Sequence, residues 1–232
     1  MSKENLLHNP KILVALCCLV YSASYVTRLD YAAVLVEIVQ DLQIAKTTAS
    51  IAVTGSFITY GIGMVIFGMS GDVIKPRLLV SIGLLGTSLI NLFMGLLSNI
   101  HIMIGTWCFN GFFQAMLWPS LSRMLAENLP PEKSPGAVAT VSAVAQVATL
   151  GIYLLSPMVI RISGWRTVFL LAAGIGVIVI LLWHVGTVKF RCEHRVSQAQ
   201  PVHKTSAPMG SLILAAGLCQ YKRSHGLSLI HI

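Results

Sequence analysis

Three side chains in one apolar stretch near the N-terminus have the types and spacing of an anion-binding site. Tyr21, Tyr25 and Arg28 follow one another at i, i+4 and i+7, so a helix places them on one face. The guanidinium offers a planar fork of N–H donors to an oxyanion, and the two phenols add hydroxyl groups beside it. A charge in hydrocarbon costs about 2.5–3.5 kcal/mol on insertion scales, so Arg28 needs a partner there. The pattern predicts that this stripe binds a phosphate or a carboxylate.

Two other interpretations of Arg28 remain open at the level of sequence. Arg28 stands near the end of its apolar run, from where a long side chain can reach the membrane surface, and it could also join a structural ion pair near Asp30. Asp30 lies roughly 200° around the helix from Arg28 and cannot share its face. As the only carboxylate in the apolar runs, Asp30 is the candidate site for a coupled proton.

The composition of the chain excludes an ordinary soluble domain. Hydrophobic residues make up 55% of the 232 residues and charged residues 10%, and the mean hydropathy is +0.78. Soluble domains carry roughly 25% charged residues. The basic residues lie in short segments between apolar runs, which indicates membrane topology rather than a nucleic-acid surface. The five cysteines have no paired metal-ligand spacing, so neither a metal nor a cofactor is predicted.

Six apolar runs of spanning length follow one another, at residues 12–36, 48–70, 78–97, 102–125, 137–160 and 166–188. Because helices satisfy their own backbone groups in lipid, these runs predict six transmembrane helices and an all-α, polytopic membrane fold. Most basic residues other than Arg28 fall on one side: Lys3, Lys11, Lys75, Arg77, Arg123, Lys133, Lys189, Arg191, Arg195 and Lys204. The other side carries Lys46, Arg161 and Arg166. The positive-inside rule then predicts a multi-pass protein of a prokaryotic inner (plasma) membrane, with its N-terminus in the cytoplasm.

Three more side chains in later runs are candidates for the binding site. Tyr60 is a polar side chain near the middle of the apolar second run. It could line a binding cavity, or its hydroxyl could instead form a structural hydrogen bond to a neighbouring helix. Trp118 follows Gln114 by four residues, so both could face a cavity, although a tryptophan before Pro119 could equally pack at a kink. Gln146 is the polar candidate in the Ala-rich fifth run.

Charged residues at the predicted cytoplasmic ends suggest a gate. The segment GMSGDVIKPR places Asp72 beside Lys75 and Arg77, a grouping that could form an ion-pair latch between the second and third helices. Arg123, near the inner end of the fourth run, is expected to pair with a cytoplasmic acid such as Glu127 or Glu132. Simple anchoring of the basic residues at the membrane surface is the alternative.

Three blocks of sequence resemble the organophosphate:phosphate antiporter family of the major facilitator superfamily. They are YSASYVTR at residues 21–28, SGDVIKPR at 70–77 and FNGFFQAMLWPSLSRML at 109–125. GWRTVF at 164–169 is similar to the usual opening of helix six in that superfamily. The resemblance covers about residues 10–190. It implies the N-terminal six-helix bundle of a twelve-helix fold, with a central site shared between two halves and rocking-type alternating access.

The resemblance also implies roles for individual residues. Arg28 falls where the helix-one arginine of that family binds the substrate phosphate. Aromatic positions that line the same cavity are taken by Tyr21, Tyr25 and Tyr60. The chain departs from the family at Leu29, where a basic residue often follows the arginine. It also departs where the glycerol-3-phosphate branch has a lysine and a histidine, at Met64 and Ala145.

The expected domain boundaries follow from the apolar pattern. Residues 1–11 are expected to form a cytoplasmic N-terminus, 12–188 the six-helix bundle and 189–208 a polar, basic cytoplasmic linker. Residues 209–226 suggest the opening of an unfinished seventh helix or an out-of-frame tail. Residues 227–232 can be back-translated into a transposase end sequence used in preparing DNA libraries, so a non-native end is expected there. The chain is therefore expected to be the N-terminal half of a longer protein.

The expected function is secondary active transport of a small organic anion, such as an organophosphate, by exchange for phosphate or by proton coupling. A transporter-like membrane sensor for such an anion and a non-functional truncated fragment are the alternatives. A membrane enzyme is disfavoured because no cluster of acids, histidines or nucleophiles lies within the runs. The expected partners are a small anionic metabolite, the lipid bilayer and the missing C-terminal half, without nucleic acid, in a monomeric protein.

Overall fold

A computed structural model describes residues 10–70 and 74–187, and every regular element in that part of the chain is an α-helix. The helices are α1 (Pro10–Ala33), α2 (Leu35–Asp41), α3 (Lys46–Ser70), α4 (Pro76–Leu96), α5 (Ile100–Gln114), α6 (Leu117–Asn128), α7 (Ser134–Ser163) and α8 (Trp165–Thr187). Helices α1, α3, α4, α7 and α8 are long and apolar enough to cross a membrane. The prediction of an all-α, polytopic membrane fold is therefore confirmed. The predicted linker at 189–208, the segment at 209–226 and the end at 227–232 lie outside the described residues, as do positions 1–9 of the N-terminal segment.

The structure corrects two predicted spans. The first, predicted at 12–36, ends at Ala33 and is followed by the separate short helix α2, and the fourth is divided in two. Residues 102–125 were expected to form one helix, but the chain forms α5 and α6, with Ala115 and Met116 between them. Pro119 explains the interruption, because it has no N–H to donate to the carbonyl of Ala115 and its ring crowds that position. Ala115 and Met116 keep right-handed helical dihedrals, at φ −66°, ψ −19° and φ −71°, ψ −23°, so the chain is interrupted without being turned back.

The first helix occupies the middle of the bundle. Helix α1 packs against α7 and α8, while α4 packs against α8 and α5, and α3 packs mainly against α5. Two apolar clusters form the core at different heights along α1. The cluster near the start of α1 includes Leu13, Cys17, Val20, Leu84, Leu121 and Trp183. The cluster near its end includes Tyr31, Met94, Met103, Trp107 and Phe169.

A layer of buried polar side chains separates the two apolar clusters. Its members come from α1, α4 and α5 and are each at most 3% exposed: Ser24, Thr27, Thr87, Asn91, Asn110 and Gln114. Because hydrocarbon offers no hydrogen bonds, such groups must bond to one another. The layer therefore fixes how α4 and α5 sit against α1.

An ionic contact joins three segments at the end of the bundle where α2 lies. The Oδ2 atom of Asp41 accepts hydrogen bonds from Trp165 Nε1 at 3.1 Å and from Arg166 Nη1 at 2.9 Å. Arg166 Nη2 also donates to Ser98 Oγ at 3.3 Å. The end of α2, the α4–α5 connection and the start of α8 are thus held together by residues of the GWRTVF block.

The Asp41 contact predicts a specific pH dependence of stability. Hydrogen bonds from Arg166 and Trp165 lower the pKa of Asp41. A carboxyl whose folded pKa lies below its unfolded value of about 3.9 stabilises the fold above that value and loses this contribution as the pH falls through the folded pKa. We expect the difference in melting temperature between the wild type and Asp41→Asn to be constant from about pH 8 to 5 and to shrink below about pH 4.

Thermal unfolding of both purified proteins in detergent measures this difference. Ser98→Ala serves as the control because it keeps the carboxylate, so its difference from the wild type should not change with pH. A wild-type advantage over Asp41→Asn that persists unchanged below pH 3 would contradict the assignment.

Candidate functional site

Arg28 lies half-buried on α1 with its guanidinium held against α3. Its Cζ atom is 4.1 Å from the ring centroid of Tyr60 and 5.5 Å from that of Phe57. Among the described residues, Arg123 and Arg166 form salt bridges with Glu127 and Asp41, whereas no acid forms one with Arg28. The aromatic rings hold the cation in place without occupying its N–H donors. The guanidinium can therefore still receive an anion through its planar fork.

Three further aromatic rings pack against one another, two from α1 and one from α6. The ring centroids of Tyr21 and Tyr25 are 5.0 Å apart in an edge-on arrangement, and those of Tyr21 and Trp118 are 4.7 Å apart. Tyr25 precedes Arg28 by three residues on the same face of α1, which connects this group to the cation. The structure thus brings together five of the six predicted binding residues. The break between α5 and α6 matters here because Trp118 is the second residue of α6.

Gln146 is the sixth predicted binding residue, and the structure places it differently. It is an exposed side chain of α7, and in the described part of the chain no hydrogen bond joins it to the other five residues. Its neighbour Ala145 is fully buried. A binding role for Gln146 stays a prediction.

Gln114 is a structural residue rather than a cavity side chain. It is 2% exposed, and its Nε2 donates to Ser24 O at 3.1 Å and to Thr27 Oγ1 at 3.0 Å. Its Oε1 accepts from Ser24 Oγ at 2.5 Å. Gln114 therefore holds α5 against the side of α1 that carries Ser24 and Thr27, while Tyr21, Tyr25 and Arg28 extend from another side of the same helix. The possibility that Gln114 faces a cavity is not supported.

Asp30 is fully buried and does not pair with Arg28. Its Oδ1 accepts the backbone N–H of Tyr31 at 2.8 Å, and no salt bridge to it is recorded among the described residues. The expectation that Asp30 and Arg28 occupy different faces agrees with this arrangement. The coupling role of Asp30 stays a prediction.

The predicted gate residues are held by separate contacts. Asp72 lies outside the described residues, so the latch itself stays a prediction. Lys75 is the exposed N-cap residue of α4, ahead of a proline at the first helical position. Arg77 Nη2 donates to His184 O at 3.1 Å, which joins the start of α4 to the end of α8.

Arg123 forms its ion pair within α6. Its Nε lies 2.6 Å from Glu127 Oε1, one turn further along the helix. The expected pairing with a nearby acid such as Glu127 is therefore present, whereas a role in gating stays a prediction.

Three residues, one at Arg28 and two in the buried polar layer, were missed at the level of sequence. Phe57 precedes Tyr60 by three residues on α3, and this i, i+3 spacing was the available signal. Asn91 and Asn110 are buried amides in apolar helices, and their polarity alone marks them as functional or structural positions.

Comparison with known sequences gives a family and several relatives. The sequence model of the Major Facilitator Superfamily matches residues 13–219, which extends beyond residue 190, where the resemblance was expected to end. A probable hexose phosphate transport protein of Chlamydia trachomatis is 30% identical over 146 residues, which is 63% of this chain and 32% of the relative. The membrane sensor protein UhpC of Salmonella typhimurium is 27% identical over 167 residues, which is 71% of this chain and 38% of the relative. The chain thus spans about a third of the length of these curated relatives.

Comparison with solved structures gives the same fold. The chain is similar to a bacterial homolog of the human lysosomal transporter Spinster in its inward-facing, unoccupied conformation, with a TM-score of 0.72 at 14% identity. The likeness covers 90% of this chain and 49% of the other chain. At this level of identity it shows the fold alone.

Proposed function

Because the chain belongs to the major facilitator superfamily, we propose that it contributes to a transporter of a small organic anion and that Arg28 binds the anionic group. Members of this family are transport proteins, so the chain is not an enzyme. The observation that supports the anion most directly is the guanidinium of Arg28, which is half-buried, lies against Tyr60 and has no acid partner among the described residues.

The physical argument begins with the charge of Arg28. A cation at the centre of a membrane helix costs about 2.5–3.5 kcal/mol. Among the described residues no acid forms a salt bridge with Arg28, so a bound anion would offset whatever part of this cost applies. The fork geometry suits a phosphate or carboxylate. The rings of Tyr21, Tyr25 and Trp118, which contact one another, can pack against the uncharged remainder of an organic anion.

The relatives suggest the class of the anion. One is described as a hexose phosphate transport protein, so we propose a phosphate ester, exchanged for inorganic phosphate or moved together with a proton carried by Asp30. Within the described site Arg28 is the cation, since Leu29 and Met64 are uncharged. We therefore propose that a second six-helix half, outside this chain, supplies another cation. In this proposal the protein is a monomer of the inner membrane with a cytoplasmic N-terminus and works by alternating access.

A membrane sensor is the second candidate function. It is favoured by the 27% identity to the membrane sensor protein UhpC over 71% of this chain. A sensor would use the same arginine to bind an anion but would not need to release it on the other side of the membrane.

Uptake by vesicles separates the two candidates. The full-length gene product, reconstituted into liposomes loaded with phosphate, is expected to take up labelled glucose 6-phosphate in a saturable manner. Binding of the label to the detergent-solubilised protein without uptake would favour the sensor. Absence of both binding and uptake for glucose 6-phosphate and for inorganic phosphate would contradict the proposed phosphate ester.

A further inference from the structure

Three buried side-chain oxygens from three helices have no hydrogen-bond partner in the described part of the chain. They are Asp30 Oδ2 on α1, Asn91 Oδ1 on α4 and Asn110 Oδ1 on α5. The three residues are 0%, 0% and 1% exposed. Buried polar atoms are nearly always paired, so three acceptors in one region that lack a donor need an explanation.

The two amides converge on a single atom of α1. Asn91 Nδ2 donates to the carbonyl oxygen of Thr27 at 3.0 Å, and Asn110 Nδ2 donates to the same oxygen at 2.9 Å. Asp30 follows Thr27 by three residues, so the two Cβ atoms lie about 5–6 Å apart on one side of the helix. Asn91 Nδ2 also donates to Thr87 O at 2.9 Å, so both amides are anchored through nitrogen and leave their oxygens unpaired close to this turn of α1.

Within the described residues no salt bridge balances the charge of Asp30. Oδ1 of Asp30 already accepts the N–H of Tyr31 at 2.8 Å. Toward the end of α1 the neighbouring side chains are apolar or aromatic, since Tyr31, Trp107 and Phe169 stack together there. Arg28 lies against the rings of α3, and no described salt bridge includes Asp30. A lone carboxylate in this interior therefore needs either a bound proton or a counter-charge.

We propose that Asp30, Asn91 and Asn110 form a binding site for a small monovalent cation, Na⁺. Carboxylate and amide oxygens are hard ligands, which suit hard cations rather than transition metals. One carboxylate balances one positive charge, whereas a divalent ion would leave a net charge buried in hydrocarbon. In the described part of the chain no three His, Cys, Asp or Glu side chains lie together, so the amide oxygens of Asn91 and Asn110 must supply the further ligands.

The proposed Na⁺ site lies close to Arg28, so Na⁺ binding would affect anion binding. Cation binding would tie α4 and α5 to α1 two residues beyond Arg28. If the proposed function is correct, Na⁺ then stabilises the segment of α1 that presents the guanidinium, and the anion and Na⁺ bind cooperatively. The cation site itself does not depend on the proposed function.

Thermal unfolding of the purified chain in detergent tests the site without any anion substrate. At constant ionic strength and pH, replacing choline chloride by NaCl is expected to raise the melting temperature in a saturable manner by about 5 °C, because a ligand that binds only the folded state stabilises it. KCl should have a smaller effect, since the larger ion would force the three helices apart. Asp30→Asn should abolish the Na⁺ response, and Asn110→Ala should weaken it. Asp41→Asn, which removes an exposed carboxylate, should keep the response.

The melting temperature of the wild type in the three salts tests the site without any variant. This measurement remains valid if Asp30→Asn fails to fold. Equal effects of NaCl, KCl and choline chloride would show a general salt effect and would overturn the site. A wild-type melting temperature that depends on pH but not on Na⁺ would assign the position to a proton and would also overturn it. Arg28→Ala is expected to retain the Na⁺ response, so failure of this proposal and failure of the anion proposal give different results.

Discussion

Replacing Arg28 by alanine in the full-length protein should lower anion uptake by about 100-fold or more, without loss of membrane insertion. A hydrogen bond to a charged group contributes about 1.5–3 kcal/mol, and a bidentate guanidinium makes two of them with an oxyanion. A 100-fold loss corresponds to about 3 kcal/mol, so even an imperfect pair accounts for it. Initial rates of labelled glucose 6-phosphate uptake into phosphate-loaded proteoliposomes measure the effect.

Two variants show whether the loss belongs to this guanidinium. Arg28→Lys keeps the charge but not the fork, so it should recover only part of the uptake. Arg161→Ala removes an exposed arginine from the last turn of α7 and should leave uptake unchanged. Uptake by Arg28→Ala with an unchanged apparent affinity would exclude the binding role and would leave Arg28 a residue that only packs against α3.

Replacing Gly111 by alanine should destabilise the bundle more than any other single-methyl addition in α5. A Cβ at this position would overlap the carbonyl oxygen of Ser56 on α3 and lie 2.5 Å from Thr59 Oγ1. Because the obstacle is backbone, α3 and α5 must move apart, which also strains the 2.6 Å hydrogen bond from Thr59 Oγ1 to Cys108 O. Overpacking typically costs about 1–3 kcal/mol, so the melting temperature should fall by about 10 °C or the protein should fail to accumulate.

Gly105→Ala is the matched control for this prediction. It adds the same methyl group to the same helix, and nothing lies within 4 Å of the added Cβ. Its melting temperature should equal or slightly exceed that of the wild type, because alanine favours a helix over glycine by about 1 kcal/mol. Similar melting temperatures for the two variants would contradict the close approach of α3 and α5 at Gly111.

The sequence by itself determined the class of the protein and the local order of its first site. Within lipid, a single apolar run of spanning length can satisfy its backbone hydrogen bonds only as a helix. The membrane fold therefore follows from composition and length alone. Helical periodicity then places Tyr21, Tyr25 and Arg28 on one face and Asp30 on another, because these relations lie within one turn or two of a single helix. The blocks that resemble the major facilitator superfamily predicted that the chain belongs to it. The match of that family's sequence model to residues 13–219 confirms this prediction.

Only the tertiary structure decided which side chains from different helices meet. Gln114 and Trp118 share a helical spacing, yet one is bonded to Ser24 inside the bundle and the other packs against Tyr21. Pro119 interrupts the helix between Gln114 and Trp118, so their spacing of four residues no longer places both side chains on one face. Likewise, the convergence of Asn91 and Asn110 on Thr27 O depends on how α4 and α5 pack against α1. Helical periodicity in the sequence predicts the face of the helix on which a residue lies. The residue that it contacts on another helix depends on how segments far apart in the chain pack together.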